Sequence, residues 1–489
     1  MMNWKMWQKC VGKMGKKLPI FLFIFILLYV IGSLICYPLL TKRHVLKQKE
    51  KYAEQAAKET VDRSASVRCL DDNTQALVYR LALIESAQRE LIMTTFDMSD
   101  GESGQDLMAA MLQAADRGVR IRLMVDGINA WLKLEKSDLF GAFSTHPNIE
   151  IRFYNPIRLT KLWKLNYRMH DKYLIADDTA YILGGRNSNN LFLGAYRDTY
   201  NIDRDLYVLE RTEKNASDVM QKKERNSLQD IKAYFEKIWV QPDQKIFRKK
   251  ETEKTKEGLA LLREHYKELQ TAYPEVFSET ETLLTQDLIR VDSIQFLHNP
   301  LYADEKVPVV YQRICQEMEQ GETILIQTPY IICDKGMYQD LSELCRAGKQ
   351  IEIITNAVES GANPWGCTDY LNERKSILKT GAGVYACMAG QSLHTKTVLI
   401  DDETSIVGSY NLDLRSTYLD TELMLLVKSK ELNKQLRDQA AAYQEKSAYE
   451  KAGKPSRTGS LYEKKEMSGM QKVIYSILRI LIRPIREVL

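Results

Sequence analysis

The stretch His170-Asp171-Lys172, followed by Asp177 and by Gly184-Gly185-Arg186-Asn187, decides the fold of this chain because it occurs twice. The second copy is His394-Thr395-Lys396, followed by Asp401 and by Gly408-Ser409-Tyr410-Asn411. Both copies have the pattern H-x-K-x4-D-x6-G-[GS]-x-N with the same internal spacing. The chain has six His residues and two of them head these copies, so coincidence is a poor explanation of the pair.

The segments upstream of the motifs repeat as well. Residue patterns predict a strand, a helix and a strand at 90–96, 104–116 and 119–125, and again at 323–327, 336–346 and 350–355. Gly118 and Gly348 end the two helices. This order implies parallel strands with right-handed crossovers. We therefore predict two α/β lobes in a pseudo-two-fold arrangement, and a site across the axis would take one motif from each lobe.

The paired motifs resemble the HKD motifs of the phospholipase D superfamily. The surrounding stretches RMHDKYLIADDTAYILGGRNSNNLFLG and LHTKTVLIDDETSIVGSYNLDLRSTYLDTE are similar to bacterial cardiolipin synthases and their phospholipase D-like relatives. The resemblance covers most of the chain after its N-terminal segment. It implies two lobes, each a mixed sheet flanked by helices, with one motif per lobe. It also implies a single active site between the lobes that needs neither a metal nor a cofactor.

Composition shifts divide the chain into five predicted parts. They are an N-terminal basic segment, anchor and linker (1–66), a first lobe (67–244), a charged and solvated helical connector (245–290), a second lobe (291–450), and a polar linker with a basic amphipathic helix (451–489).

The predicted anchor is the uncharged run Leu18 to Leu40. As a helix it would span roughly 35 Å, enough for a bilayer core. It is longer than the apolar region of a signal peptide, which favours an uncleaved, single-pass anchor in the cell membrane. Lysines and arginines flank both ends of this run, so the positive-inside rule gives little indication of which end faces the cytoplasm. A signal anchor more often leaves its short tail inside, which we expect here.

Two basic segments each admit two interpretations. The tail KVIYSILRILIRPIREVL has apolar residues at helical spacing and could lie in a membrane interface or pack on the protein. The segment before the first motif could bind anionic head groups or be an ordinary solvated loop. Its basic and aromatic residues are Arg158, Lys161, Trp163, Lys164, Tyr167 and Arg168.

Overall composition argues against some classes of partner. The formal net charge of +4 is too balanced to indicate nucleic acid. Eight Cys residues contain no C-x-x-C pair and suggest neither a metal site nor a disulfide scaffold. We therefore expect phospholipids and a membrane as partners, with no nucleic acid, and the sequence indicates no protein partner.

The motif residues suit cleavage of a phosphodiester. Such a reaction needs a nucleophile, a proton donor for the leaving alcohol, and cations for the phosphoryl oxygens. His170 and Lys172 are two residues apart on a predicted strand, so both side chains face the same way, and His394 and Lys396 repeat this. Further donors to phosphoryl oxygens would be Asn187, Asn411 and Ser409; Gly185 replaces the serine in the first motif.

A carboxylate should orient each imidazole. Glu422 follows His394 where the family places such a carboxylate. Matching NIDRDLYVL with LDTELMLLV pairs Asp205 with Glu422, and Asp203 is the alternative. Asp177 and Asp401 belong to the motifs, yet each lies where a strand meets a turn.

The resemblance also implies roles for the motif residues. It makes Asp177 and Asp401 structural supports rather than acid or base. It makes His170 the nucleophile that forms a phosphohistidine, and His394 the general acid. The residues alone leave open which imidazole attacks.

Three functions are compatible with these features. The first is a membrane phosphatidyltransferase, similar to cardiolipin synthase, that passes a phosphatidyl group to phosphatidylglycerol. The second is a hydrolase of phospholipids or a nuclease, and the third is a catalytically silent membrane-bound binding protein. The anchor, the amphipathic tail and the intact His and Lys set favour the first, since a nuclease should carry a clearer basic surface.

Overall fold

The computed structural model of this chain describes residues 20–46, 65–210, 226–302 and 305–488. The strands of its first half are β1 (Ser66–Leu70), β2 (Glu90–Thr95), β3 (Arg120–Asp126), β4 (Ile149–Tyr154), β5 (Tyr173–Ala176), β6 (Ala180–Gly184), β7 (Asn201–Ile202), β8 (Asp205–Leu209), β9 (Lys245–Phe247) and β10 (Ile289–Arg290). Those of the second half are β11 (Ser293–His298), β12 (Thr323–Gln327), β13 (Gln350–Asn356), β14 (Gly383–Cys387), β15 (Ser392–Leu393), β16 (Thr397–Ile400), β17 (Thr404–Gly408), β18 (Leu423–Lys428), β19 (Ser447–Glu450) and β20 (Arg457–Thr458).

Helices cover the outer faces of the sheets and lie at both ends of the described residues. An apolar helix, α1 (Ile20–Leu46), comes first and contains a π-helical stretch at Gly32–Cys36. The helices of the first half are α2 (Asn73–Ser86), α3 (Glu102–Asp116), α4 (Gly127–Lys133), α5 (Asp138–Phe143), α6 (Ser227–Trp239), α7 (Glu253–Ala272), α8 (Pro274–Ser278) and α9 (Thr280–Thr285). Those of the second half are α10 (Val309–Gln320), α11 (Lys335–Arg346), α12 (Pro364–Lys379), α13 (Leu414–Tyr418), α14 (Lys430–Gln444) and α15 (Gly469–Leu481).

The two large sheets have the same strand order. The first runs β10-β1-β8-β6-β5-β2-β3-β4-β9 and the second runs β11-β18-β17-β16-β12-β13-β14-β19-β20. From β1 to β9 and from β11 to β19 the orders correspond strand for strand. Three neighbouring strands of each sheet are parallel, and the remaining pairs are antiparallel. This confirms the predicted α/β fold of two duplicated lobes with mixed sheets.

Equivalent glycines end equivalent helices in the two lobes. Gly118 follows α3 with φ +96°, and Gly348 follows α11 with φ +93°. Such left-handed backbone strains residues that carry a Cβ, so glycine favours a sharp stop here. Each stop leads directly into the next parallel strand, β3 or β13, as the sequence predicts.

A shared apolar core joins the lobes. Tyr173 and Ile175 of the first lobe belong to the same buried cluster as Leu399, Leu425 and Val427 of the second. Separate clusters lie beneath the outer helices of each lobe. The inner faces of the sheets therefore pack against each other, and this packing brings the two motifs together.

The segment 245–290 differs from the predicted solvated connector. Strand β9 pairs with β4 and β10 pairs with β1, so both belong to the sheet of the first lobe. Helix α7 buries Leu262, Tyr266 and Leu269 at helical spacing. Strands of two or three residues are too short to show an alternating pattern, so they could not be predicted from the sequence.

The two terminal helices have extensive exposed apolar surfaces. Helix α1 is long and apolar enough to cross a membrane, and its side chains from Ile20 to Leu28 are exposed. Helix α15 buries Tyr475 and leaves most of its other apolar residues exposed. The tail thus packs on the protein along one edge while its remaining apolar face is uncovered within the described residues.

Candidate active site

The two motifs lie at the junction of the lobes, and each is bonded to the opposite lobe through its backbone. The His170 N–H donates to the Thr421 hydroxyl over 3.0 Å. The His394 N–H donates to the Ile202 carbonyl over 2.7 Å, next to the parallel pair β7–β15. These contacts place the start of β5 and the start of β16 on either side of the same interface.

Each imidazole contacts a carboxylate from the other lobe. His170 Nδ1 lies 2.9 Å from Glu422 Oε1, and His394 Nδ1 lies 2.5 Å from Asp203 Oδ2. All four side chains are largely buried. Because Nδ1 is engaged in both rings, Nε2 is the nitrogen left for chemistry on a substrate.

The proposed orienting role of Asp205 requires a correction. Its carboxylate accepts from Arg80 Nη2 at 2.8 Å and lies 3.8 Å from Arg186 Nε, and no contact to an imidazole is found in the described structure. The strand register explains the error. Gly184 pairs with Asp205, whereas Gly408 pairs with Met424, so the counterpart of Glu422 is Asp203, the alternative candidate.

Lys172 and Lys396 are buried beside the imidazoles. Lys172 Nζ donates to the His170 carbonyl, and Lys396 Nζ donates to the His394 carbonyl. Lys396 Nζ also lies 3.2 Å from His394 Nε2 and 3.5 Å from Asp203 Oδ2. Burial lowers the pKa of Lys172 to about 7 and also lowers the pKa of Lys396. The charges of Lys396 and His394 reach His170 as well, which shows that the two motifs form one electrostatic unit.

The two carboxylates differ in their electrostatic surroundings. Burial raises the pKa of Glu422 to about 8, while the Ser409 and Ser416 hydroxyls donate to it. Burial would also raise the pKa of Asp203, but Lys396 and the hydrogen bond from His394 outweigh it and leave that pKa well below its ordinary value. Burial therefore disfavours the negative charge of Glu422, whereas neighbouring positive groups favour that of Asp203.

Burial and the motif lysines disfavour the charged form of both imidazoles before a substrate binds. Burial and the neighbouring Lys396 lower the pKa of His394 to about 4. Burial and the neighbouring Lys172 lower the pKa of His170 well below its ordinary value. A phosphate anion in the cleft would raise both values, because a nearby negative charge favours imidazolium.

The predicted phosphate-binding residues have unequal environments. Asn187 Oδ1 and Asn411 Oδ1 are buried without a hydrogen-bond partner, and Asn411 Nδ2 donates to Tyr330 Oη over 3.3 Å. The Ser409 hydroxyl instead donates to Glu422 and accepts from the Leu423 N–H. The Ser409 hydroxyl is therefore already engaged by Glu422 and Leu423, whereas the sequence predicted it as a donor to phosphate.

Asp177 and Asp401 contact backbone rather than the imidazoles. Asp177 accepts from the N–H groups of residues 88, 89 and 90 at 2.8 to 2.9 Å. Asp401 accepts from the N–H groups of Glu322 and Thr323 at 2.9 and 2.8 Å. Both have positive φ, 51° and 48°, at the far ends of β5 and β16. The motifs group these two residues with the catalytic His and Lys, but both carboxylates accept from backbone, as structural supports do.

Two aromatic rings that lie outside the motifs flank the imidazoles. Phe96 meets His170 edge-to-face with ring centroids 4.9 Å apart, and Phe192 meets His394 in the same way at 5.0 Å. Beside His394 is a cavity of about 160 Å³. Its polar lining includes Asn201, Tyr330, Asn356, Asn363 and Ser392. No sequence pattern marks these residues, since they come from distant loops.

The basic segment before the first motif is ion-paired. Arg158, Lys161 and Lys164 surround the single carboxylate of Asp243. Arg168 donates to the carboxylate of Asp126. Burial lowers the pKa of the Arg168 guanidinium, but the negative charge of Asp126 outweighs this, so the pKa is raised. Arg158, Lys161 and Lys164 are 34% to 40% exposed and Arg168 is 17% exposed, so the predicted entrance divides into a surface cluster and a more buried ion pair.

Comparisons with known proteins agree with this geometry. A family model described as cardiolipin synthase, PLD-like domain, matches residues 81–239 and 314–443. The protein named cardiolipin synthase C of Escherichia coli (strain K12) is 25% identical over 408 residues, covering 74% of this chain and 81% of that protein. An uncharacterized protein of Helicobacter pylori (strain ATCC 700392 / 26695) is 26% identical over 428 residues, covering 79% and 80%.

Among solved structures, phosphatidylserine synthase of Haemophilus influenzae Rd KW20 is similar with a TM-score of 0.62 at 16% identity. The likeness covers 90% of this chain and 100% of that one, and it supports the fold alone. The family match includes both motifs, Asp203 and Glu422, and it spans more than half of the chain. The chain therefore belongs to the cardiolipin synthase, PLD-like domain family.

Proposed function

We propose that this protein is a membrane phosphatidyltransferase that forms cardiolipin from phosphatidylglycerol. The observation that carries the proposal is the crossed pair of imidazoles, each bound by a carboxylate of the other lobe. Two buried lysines accompany them in a chain of the cardiolipin synthase, PLD-like domain family. This set contains a nucleophile, an acid and cationic charge for one phosphorus atom.

In the first step His170 Nε2 attacks the phosphorus of a phosphatidyl donor. A nitrogen–phosphorus bond forms, the bond from phosphorus to the head-group alcohol breaks, and His394 gives its proton to that alcohol. In the second step a hydroxyl of phosphatidylglycerol gives its proton to His394 and attacks phosphorus. The nitrogen–phosphorus bond breaks, which releases cardiolipin and restores His170. Lys172 and Lys396 offset the phosphoryl charge, and the amides of Asn187 and Asn411 bind its oxygens.

The difference between the carboxylates supports this division of roles. Asp203 is ionised and stabilises an imidazolium at His394, as a general acid requires. Burial disfavours the negative charge of Glu422, so this carboxyl stabilises an imidazolium at His170 less than Asp203 does at His394. A neutral imidazole is the nucleophilic form, which favours His170 as the attacking group.

Helix α1 supports a location in the cell membrane with one N-terminal anchor. Its exposed apolar side chains from Ile20 to Leu28 have no other cover in the described part of the chain. A membrane location also concentrates the lipid acceptor near the phosphohistidine, where it competes with water.

The decisive experiment supplies vesicles of phosphatidylglycerol to purified full-length protein and identifies the lipid products. We expect cardiolipin in excess over phosphatidic acid. Phosphatidic acid as the main product at every acceptor concentration would make the protein a hydrolase, and comparable cleavage of DNA would make it a nuclease. Retained lipid binding without any turnover would identify a binding protein.

Trapping the intermediate tests the assignment of roles. In the His394→Ala variant, a labelled phosphatidyl donor with a good leaving group should leave its label on His170. The His170→Ala variant is the matched control and should remain unlabelled. Label on His394 in that control would reverse the assignment.

A further inference from the structure

Helix α1 is docked onto the catalytic body close to the first motif. Tyr29 Oη donates to the Leu159 carbonyl over 2.8 Å, and Asn166 Nδ2 donates to the Leu34 carbonyl over 3.0 Å. Leu159 itself is 76% exposed. The docking segment ends just before His170, so the exposed part of α1 emerges beside the catalytic cleft.

A second exposed apolar element lies on helix α4. Trp131 and Leu132 are 50% and 62% exposed. The helix is fastened to the site because Asn129 Nδ2 donates to the Phe96 carbonyl over 2.6 Å, and the Phe96 ring contacts His170. These two apolar side chains therefore project from the same lobe edge that carries the His170 side of the cleft.

Helix α15 is the third element. Its buried Tyr475 lies within hydrogen-bond reach of the Cys367 thiol, and Cys367 lines the cavity beside His394. The opposite face is an uninterrupted apolar stripe at helical spacing. Its members, with exposures of 43% to 71%, are Met470, Val473, Ile474, Ile477 and Ile480.

The segment that follows α15 is hydrogen-bonded to the end of α1. Beyond α15 the chain turns back, and Glu487 accepts from Lys42 at the end of α1 over 2.7 Å. Arg415 donates to the Val488 carbonyl and to the Asn166 carbonyl, at 3.0 and 2.7 Å. The C-terminal end of α1 and the described end of the tail thus meet beside the docking segment of α1.

The length of α1 indicates how deep its docking segment would lie in a membrane. The uncharged run begins at Leu18, and about 20 helical residues, or ~30 Å, would cross a bilayer core. A crossing that starts there ends near Tyr37, which packs on Trp163 and Tyr167 with ring centroids 6.2 and 6.3 Å apart. Tyr and Trp favour that level of a membrane. Tyr29 lies eight residues before Tyr37, or about 12 Å along the helix, so Leu159, which is bonded to Tyr29, would lie beneath the head groups among the acyl chains.

The charges around these apolar residues suit anionic lipids. Arg158, Lys161 and Lys164 share one carboxylate and are 34% to 40% exposed, which leaves a net positive cluster next to Leu159. The tail adds exposed Lys472 and Arg483 beside its apolar stripe. Cations around apolar side chains are typical of segments that bind an anionic membrane surface.

We propose that α1, the Trp131–Leu132 edge with Leu159, and the apolar stripe of α15 form one bilayer-contacting rim. The occupant of this rim is one leaflet of an anionic membrane, with its head groups and the acyl chains beneath them. The cleft then opens into that layer, and lipids reach His170 and His394 by lateral movement without leaving the membrane. Contact of the rim with the bilayer is independent of turnover; only the role of the entering lipid rests on the proposed function.

Carbene labelling from within the bilayer tests contact directly. The full-length protein is placed in vesicles of phosphatidylcholine and phosphatidylglycerol that contain a phospholipid with a diazirine in its acyl chain. After illumination, mass spectrometry should find label on 131–132, 157–159 and 470–481 as well as on α1. The exposed outer helix α7 is the internal control and should remain unlabelled. Label confined to α1 would overturn the proposal, whatever the catalytic activity proves to be.

Single substitutions on the stripe test its contribution to turnover. Ile477→Asp and Ile480→Asp should each lower the rate on anionic vesicles about tenfold and leave the rate on a monomeric short-chain lipid within about twofold. Leu261→Asp is the matched control, because Leu261 is 63% exposed on α7. Equal losses on both substrates, or the same loss in the control, would contradict the proposal. No turnover of either lipid by the unaltered protein would instead refute the proposed function.

Discussion

The two imidazole–carboxylate pairs have the same geometry and different electrostatics. In each pair the ring belongs to one lobe and the carboxylate to the other, with contacts of 2.9 and 2.5 Å. Glu422 is surrounded by the hydroxyls of Ser409 and Ser416, and burial raises its pKa to about 8. Asp203 lies between His394 and Lys396, and its pKa is well below the ordinary value. The two lobes therefore share one backbone geometry, and a few neighbouring side chains make the electrostatics of the two pairs different.

The largest expected effect comes from removing either ring. We predict that His170→Ala and His394→Ala each lower kcat by at least about 10⁴-fold, because both act on one phosphorus. The double variant should be no worse than either single variant, as expected for groups that work as a unit. Steady-state assays on phosphatidylglycerol vesicles measure this. Multiplicative losses in the double variant would mean that the pairs act separately.

Neutralising the two carboxylates should distinguish the pairs. We expect Asp203→Asn to lower kcat on the order of a thousandfold, since it removes the charge that stabilises imidazolium at His394. Glu422→Gln should lower kcat less than about tenfold at pH 7, because burial already raises the pKa of Glu422 to about 8 and so weakens its contribution as a negative charge. Assays of both variants at the same pH make the comparison. Equal losses would remove the electrostatic distinction on which the assignment of roles depends.

The pH profile should report the charge of Lys172. Its pKa of about 7 means that the cation is present below that pH and is lost as the pH rises through it. We expect kcat/KM, which reports groups of the free enzyme, to fall roughly tenfold per pH unit above that value. Lys172→Arg retains its charge and should flatten this limb at a lower overall rate. A wild-type profile that stays level from neutral to alkaline pH would contradict this role.

Asp205 should matter for stability rather than for turnover. It is buried against Arg80 and near Arg186, so Asp205→Asn leaves buried guanidinium charge uncompensated. We predict a loss of about 3 kcal/mol in the free energy of unfolding and a change of only a few-fold in kcat of the folded protein. Denaturant titration measures the first quantity. Asp402→Asn is the control, since its exposed pair with Lys430 should contribute less than about 1 kcal/mol. A thousandfold loss of kcat in Asp205→Asn would restore Asp205 to the site.

Exhaustive chelation should have no effect on the purified enzyme. The described residues contain no group of three or more His, Cys, Asp or Glu side chains placed to bind a metal ion. The lysines of the two motifs can supply the cationic charge that a metal would otherwise provide. Activity that disappears on chelation and returns with one particular divalent ion would contradict both points.

Local patterns were sufficient for the fold and for the four central motif side chains. The strand, helix, glycine and strand order occurs within about 35 residues in each lobe, and short-range periodicity reveals it. A spacing of two residues on a strand places His170 with Lys172, and His394 with Lys396, irrespective of the rest of the molecule.

Contacts between distant segments could not be predicted in this way. The choice between Asp203 and Asp205 depended on the register of β6 with β8, which an alignment of short stretches misjudged by two residues. The crossing of carboxylates depends on how the lobes dock. Asp243, which binds three cations of the basic segment, lies about 80 residues further along the chain and shares no motif with them.

The crossed pairing also has a consequence for the order of synthesis. A ribosome completes lobe 1 first, and a chain at that stage has His170 but not the residue that orients it. Glu422 becomes available only after nearly all of the second lobe has been made. The complete site therefore forms only after Glu422 has been synthesised, and a product truncated before that residue lacks the carboxylate that orients His170.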